Sequence, residues 1–400
     1  MNLLKWEMRK IWNPVILAAL LIFGLIYYWM FPLFDIQTFG YNGIGEDGYR
    51  VAWELVERYG PTLEPEERAE LDGWLEEEKE QFQAVLAQIP EAAALNLTDY
   101  DSFDAFMQSY YEEALAQDSQ ADMNLERLSH RIYNGSNWYG IEYLTDIMRL
   151  YDESAEQGAL RVESRIEDGA PQAVIERTRQ LNQPENAWGL MPETVRQNTR
   201  DYTMDLAVWS VLSVVILLSP TLVRDRLYRT KALQWSSRRG RATLPVQMWA
   251  GVISAFILTL VNLTAYAIPF LKKGALHFAQ CRLPGIDFGF DFWFDWTYGE
   301  YLVILIGLIL ALSLGAAGMT LFLSQYSGNY IAMLLKALPL FVGVGSLFGS
   351  WLLDWPFYFR KSVSLWLPKG TELAAILIFV TVSAVLCIAA CRRIKRKELL

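Results

Sequence analysis

The feature that most constrains this chain is a set of long stretches with no charged side chain. No Asp, Glu, Lys or Arg lies between Lys10 and Asp35, Asp205 and Arg224, Arg241 and Lys272, or Glu372 and Arg392. Each stretch meets or approaches the roughly 20 residues that carry a helix across about 30 Å of hydrocarbon. A fifth stretch, Tyr301 to Leu353, holds Lys336 as its one charge. As a single helix it would be about 80 Å long at roughly 1.5 Å per residue, so it has to double back. Ser324-Gln325-Tyr326-Ser327-Gly328-Asn329 supplies the polar turn, with Gly328 as the breaker. The expectation is an all-α polytopic membrane protein of six spans, near 14–34, 204–223, 245–271, 301–323, 330–353 and 371–391. The first span reads as a retained helix. Its apolar core is too long for a cleaved signal, and Phe31-Pro32-Leu33-Phe34 follows it in place of small residues.

Basic residues orient the spans. Lys5, Arg9 and Lys10 precede the first. Arg224, Arg226, Arg229, Lys231, Arg238, Arg239 and Arg241 follow the second, and Arg392, Arg393, Lys395, Arg396 and Lys397 follow the sixth. With six spans these clusters share one side, which the positive-inside rule makes cytoplasmic, so both termini are expected there. Residues 35–203 then form an extracellular domain. They carry 35 Asp and Glu against 13 Lys and Arg, a net of −22, whereas the whole chain has a formal charge of −10. Such an acidic surface argues against nucleic acid as a partner.

This acidic region reads as all helix, with helical apolar spacing over Pro65–Ile89, Asp101–Ala116, Asn124–Tyr133, Tyr139–Glu153 and Pro171–Leu181. It has no cysteine, so a packed core has to hold it, and its length suffices for one. The Glu76-Glu77-Glu78 run reads as a solvated helix face. In residues 1–13, Leu4, Met8, Ile11 and Trp12 form one stripe, as in a segment lying in the membrane interface before a turn at Asn13-Pro14.

Two further segments are candidate sites. Residues 272–300 alternate Asp287, Asp291 and Asp295 with aromatics that include Trp293 and Trp296. They read either as an interfacial aromatic belt or as an outer gate that touches substrate. Gly307, Ala311, Gly315 and Gly318 make a small-residue stripe in the fourth span, either for packing within the chain or for a dimer seam.

The usual catalytic constellations are missing from the sequence. The two histidines, His130 and His277, lie in different regions, which leaves no His-based zinc site and no Ser-His-Asp triad. No G-x-x-x-x-G-K-[ST] run occurs, so the chain has no P-loop of its own. Asp99, Asp101 and Asp104 lack the glycine and terminal glutamate of a calcium loop and read as helix capping. Cys387 and Cys391, one turn apart in the last span, read as apolar packing. No metal and no bound cofactor is expected, and no enzyme activity. The acidic residues of the spans, Asp205, Glu300, Asp354 and Glu372, all fall at outer ends, so the membrane body shows no carboxylate at its midplane to power transport.

The 224–244 loop carries more than orientation requires. Leu227, Leu233 and Trp235 stand among its charges, and it ends in Ser236-Ser237-Arg238-Arg239-Gly240-Arg241 before Leu244-Pro245. With this loop between the second and third of six spans, the chain resembles the permease subunits of type-2 ABC exporters. In that family the loop forms a coupling helix that docks on the ATPase. Its pattern is an acid and a glycine, then leucines, a serine pair and Gly-Arg. Here Asp225 stands for the acid, Leu233 for the leucines, Ser236-Ser237 for the pair and Gly240-Arg241 for the ending, with Trp235 and Arg238 between. The glycine after the acid is missing, with Thr230-Lys231 in its place, and Gln247 corresponds to a lysine often found farther on.

The resemblance covers the membrane body, divided as 1–34, 204–271 and 301–400, and does not cover residues 35–203. It implies a permease of the bacterial plasma membrane that works with two separate ATPase subunits, which hold ATP and Mg, and with a second permease, identical or homologous. Cationic peptides or an extracellular protein are further candidate partners for the acidic domain. The competing reading is a transmembrane sensor or mechanotransducer whose extracellular domain binds a ligand or protein without transport.

Overall fold

The protein is described here from a computed structural model, for residues 3–117, 123–183, 189–228, 243–285, 292–343, 353 and 366–397. Among these residues the chain is helical throughout. Its only β pairings are the isolated bridges Thr62–Gly189 and Arg282–Thr297.

The first helices are α1 (Leu3–Ile11) and α2 (Pro14–Met30), which meet at a 46° bend. The bend follows from the local sequence. Asn13 accepts a hydrogen bond from Val15 N at 2.9 Å, and Pro14 at the first helical position has no N–H to leave unpaired. A short α3 (Pro32–Gln37) leads into a run of seven helices: α4 (Gly45–Tyr59), α5 (Pro65–Leu86), α6 (Pro90–Ala94), α7 (Tyr100–Gln117), α8 (Met123–Gly135), α9 (Trp138–Glu167) and α10 (Gln172–Leu181). All five helices expected in this region recur with shifted ends, and α9 extends well past the expected Glu153. α4 had no counterpart in the sequence reading, because Glu46, Asp47, Arg50, Glu54, Glu57 and Arg58 dilute its short buried stripe of Val51, Ala52 and Leu55.

Two apolar clusters hold these helices together. Val51, Leu55, Leu71, Trp74, Leu144 and Ile147 join α4, α5 and α9. Phe82, Leu86, Phe103, Ile132 and Ile141 join α5, α7, α8 and α9. The Glu76–Glu78 run is not wholly solvated. Glu76 and Glu77 are exposed, but Glu78 is 2% exposed, because one position in four of a helix must face the core.

The remaining helices are α11 (Glu193–Leu218), α12 (Pro220–Leu227), α13 (Thr243–Lys272), α14 (Tyr298–Gln325), α15 (Tyr330–Leu340) and α16 (Thr371–Lys397). Four helical segments are long and apolar enough to cross a bilayer: Glu193–Leu227, Thr243–Lys272, Tyr298–Gln325 and Thr371–Ile394. The α1–α2 pair makes a fifth if it is counted as one span, and α15 is a shorter apolar helix. Most of the second half of the expected fifth span lies outside the described residues. The expected limit between acidic region and membrane body, at 203–204, falls inside α11, which is one unbroken helix.

The acidic region is seated on the bundle through a mixed core in which Ile36, Phe39, Val195 and Tyr202 meet Phe270, Phe278, Phe292 and Tyr298. The Trp53 indole of α4 stacks on the His277 imidazole with centroids 3.7 Å apart and an interplanar angle of 7°. Gly274 is needed beneath it. Its φ is +75°, and a Cβ there would come within 2.5 Å of Trp53.

Candidate functional site

The end of the bundle away from the acidic region is built from α1, α12, the start of α13 and the end of α14. α1 lies along α13. Ile11 is buried, Leu4, Met8 and Trp12 pack with it against Leu217, Leu218, Leu244 and Met248, and Trp12 Nε1 donates to Ser254 Oγ at 3.0 Å. This sets the flank of α1 that carries Glu7 and Lys10 against α13 and α12.

A knot of buried polar groups forms there. Gln247 Nε2 donates to Asp225 Oδ2 at 2.7 Å and to Glu7 Oε2 at 3.3 Å. Lys10 Nζ lies 2.9 Å from Glu7 Oε1 and 3.6 Å from Asp225 Oδ2. Two carboxylates so close would repel, and the shared ammonium and amide offset that cost. Around the knot, Arg224 donates to Lys10 O at 2.9 Å. Arg226 donates to Ser327 O at 2.6 Å and also to Gln325 O. Ser324 Oγ accepts from Leu222 N at 3.2 Å and donates to Ser219 O at 3.0 Å. α12 is thus tied to α1, α13 and the end of α14. Ile394, beside Arg392 and Arg393, packs on the same cluster as Leu4 and Met8, so described members of all three basic clusters gather at one end.

Of the residues singled out in the 224–244 loop, Asp225 and Leu227 lie within the described chain, Asp225 in the knot and Leu227 at the end of α12. Leu233, Trp235, Ser236, Ser237, Arg238, Gly240 and Arg241 lie outside the described residues. Gln247 is the direct partner of Asp225. Sequence reasoning missed Glu7. Its spacing to Lys10 is an ordinary helix-surface pair, and only the packing of α1 on α13 shows that it is buried. Beyond the knot, Leu227 and Tyr228 at the end of α12 and Leu3 and Trp6 on α1 stay exposed.

The other candidates fall elsewhere. Gly315 and Gly318 face α16, where an added Cβ would come within 2.5 Å of Phe379 and 2.9 Å of Ser383. Gly307 faces open space, and Ala311 is partly buried against the mixed core. The stripe therefore splits, with its lower half spent on packing within the chain. Cys387 lies against Gly318, its Sγ 3.1 Å from that residue's carbonyl.

In the 272–300 segment, Asp287 and Asp291 lie outside the described residues. Asp295 receives two hydrogen bonds from Arg177 of α10, at 2.7 and 3.1 Å, and Arg177 Nε donates to Phe292 O at 2.8 Å. Those bonds hold the Asp295 carboxyl below the usual carboxylate range. Trp293 is buried against Val174, Ile175 and Leu181, and Trp296 stacks on Phe294 at 4.0 Å. The described part of this segment thus holds α10 in place. Asp99 accepts from Ser102 N at 2.8 Å and caps α7, while Asp101 pairs with Lys79. No group of three or more potential metal ligands occurs among the described residues.

Set against known protein families, curated proteins and solved structures, the chain matches none of them.

Proposed function

We propose that the chain is the membrane subunit of an exporter driven by separate ATPase subunits, which dock on the 224–244 loop. The observation that carries this reading is the polar knot. A loop that receives force has to be rooted in the bundle, and the root of this one is held from three directions by a buried amide–carboxylate hydrogen bond, a Lys10–Asp225 ion pair and half-buried arginine–carbonyl hydrogen bonds. The exposed Leu227, Tyr228, Leu3 and Trp6 beside it give a partner apolar contact area, and aromatic residues are enriched at such interfaces.

On this reading six helices cross a bacterial plasma membrane, with both termini and the knot cytoplasmic and residues 35–203 outside. Two such permeases, identical or homologous, bind two ATPases, and ATP and Mg belong to those partner chains. This chain performs no hydrolysis. ATP binding draws the ATPases together, and the rooted loops pass the displacement into α12 and α13.

The test is Trp235→Ala and Arg241→Glu in the complete complex. Both proteins should insert normally, while transport falls and ATP hydrolysis continues uncoupled. Normal ATPase co-purification and normal transport in both variants would refute docking through this loop.

A second reading, a sensor or mechanotransducer without transport, is favoured by one observation. α11 joins the acidic region to the opposite end of the bundle without a break. A substrate-independent change in partner activity on binding at the acidic region would support it.

A further inference from the structure

Where the chain leaves α3 and enters α4, a cleft of about 390 Å³ opens between residues 38–47 and the α8–α9 junction. Its wall is aromatic and polar. Tyr41, Tyr133 and Tyr139 line it, together with Asn42, Asn134 and the carboxylates of Glu46 and Asp47. We infer that this cleft is a binding site for an organic cation, an alkylammonium or guanidinium group.

Its size suits a small ligand or one long basic side chain. Tyrosine rings present a negative face that attracts such cations, and a tyrosine-lined box with nearby carboxylates is the usual means of holding them. One tyrosine of the cleft already takes part in a contact of this kind, since Lys273 Nζ lies 5.8 Å from the Tyr41 ring centroid.

The local charge balance favours a cation as well. Glu46 has no ion-pair or hydrogen-bond partner among the described residues. Asp47 lies 3.7 Å from Arg50, but Arg50 is already shared with Glu54 at 3.0 Å and Glu78 at 2.9 Å. Glu54 also pairs with Arg58 at 3.1 Å, so two guanidiniums serve Asp47, Glu54 and Glu78, and Glu46 adds a fourth carboxylate. Burial pushes the Asp47 carboxyl above its ordinary value, Arg50 opposes the shift, and Glu78 and Glu46 add to it. The positive end of α4 offsets part of the charge of Glu46 and Asp47, at about half an elementary charge. An entering cation would supply what is missing.

The cleft is built into the fold. The strand of chain forming its floor is pinned to α11, because Thr194 Oγ1 donates to Gly40 O at 3.1 Å and Asn198 Nδ2 to Thr38 O at 3.4 Å. Gly45, with φ +68°, has Tyr139 2.4 Å from where its Cβ would stand, so glycine there is what lets the ring reach the cleft wall.

The inference is independent of the exporter proposal, because binding can be read without any ATPase. The full chain, purified in detergent micelles lacking a cationic headgroup, is titrated by calorimetry with Nα-acetylarginine amide and with choline. Nα-acetylarginine amide represents a peptide side chain and choline a lipid headgroup. The neutral controls are Nα-acetylcitrulline amide, the carbon isostere of choline, and maltose.

At least one cation should bind saturably, its neutral isostere should bind several-fold more weakly, and added salt should weaken the cation. Glu46→Gln, Asp47→Asn and Tyr139→Leu should each weaken binding by roughly two- to fivefold. Glu46→Gln removes an exposed, unpaired charge, so it tests the site without disturbing the fold. Four results would overturn the inference: no saturable cation binding up to about 10 mM, equal binding of a neutral isostere, preference for maltose, or cation binding untouched by Glu46→Gln and Asp47→Asn.

Discussion

Glu78 offers a direct test of how the acidic region is held together, because its carboxylate is buried and fully used. Arg50 Nη2 donates to both oxygens, at 3.1 and 2.9 Å, Asn137 Nδ2 donates to Oε2 at 2.6 Å, and Trp74 Nε1 donates to Oε1 at 3.1 Å. Truncation to alanine leaves two buried donors, on Asn137 and Trp74, without this partner, at about 1–3 kcal/mol each. Arg50 is more than a third exposed and can turn to water, so its share is small. Glu78→Ala should therefore cost roughly 2–5 kcal/mol, and Glu78→Gln, which keeps one acceptor oxygen, about 1–2 kcal/mol. In a unit of this size 1 kcal/mol moves the melting temperature by about 2–4 °C, so the alanine variant should melt roughly 4–20 °C lower.

The pH dependence has a definite sign. Burial alone would raise the Glu78 carboxyl, but the bonds from Arg50, Asn137 and Trp74 outweigh it and bring it below its ordinary 4.5. A carboxyl lowered on folding contributes its full stability above the unfolded value and loses it as pH falls through the folded one. The gap between wild type and Glu78→Gln should hold at neutral pH and shrink on acidification below about 4.5. Intrinsic tryptophan fluorescence during heating reads both quantities, and exposed Glu77→Ala is the control, expected within about 0.5 kcal/mol of wild type. If Glu78→Ala proved as mild as Glu77→Ala, the buried network would not be holding the fold.

Two further outcomes test the packing. Gly315→Leu would drive its side chain into Phe379 and should destabilise the α14–α16 contact by about 1–3 kcal/mol. Gly307→Leu, with nothing within 4 Å, should leave melting in detergent unchanged, and equal effects of the two would refute the split of the stripe. Arg177→Ala loses its bonds to Phe292 O and Asp295 and should cost about 1–2 kcal/mol, since Asp295 is half exposed. Hydrogen exchange should then speed up in α10 and around Phe292–Trp296 together, and unaltered exchange in either would show that the two are not joined there.

The elements legible in the sequence are those whose signal is local. Uncharged runs mark α13, α14 and α16, and Asn13-Pro14 and Pro65 mark helix starts, because a span and a cap are each decided by a few adjacent residues. What was not legible depends on which face of a helix meets a neighbour. Glu78 sits in a run of identical residues; its spacing from Trp74 and Phe82 puts it on the buried stripe, but its partners Arg50 and Asn137 come from other helices and are not marked in that run. Glu7 looks like half of a surface pair until Gln247, far along the chain, is placed over it. Trp53 and His277 are unremarkable alone, and their stacking depends on how the acidic region sits on the bundle.

That seating leaves one continuous helix between the acidic region and the bundle. α11 begins among the acidic-region contacts, where Thr194 and Asn198 hold the floor of the tyrosine-lined cleft, and runs 26 residues to Leu218, a length of about 39 Å. Ser219 and Pro220 then hand the chain to α12, whose Asp225 lies in the polar knot with Glu7, Lys10 and Gln247. A continuous hydrogen-bonded helix resists axial compression, so a displacement at either end is passed along it as a near-rigid rod. The softest point on this path is the Ser219-Pro220 junction. Pro220 donates no hydrogen bond to α11, so α12 can tilt there without unwinding its neighbour. The bonds of Ser324 Oγ to Leu222 N and Ser219 O tie that junction to α14. Under either functional reading, coupling between the ends would require this junction to move or to hold as one unit, and Ser324 is a side chain that bonds both sides of it.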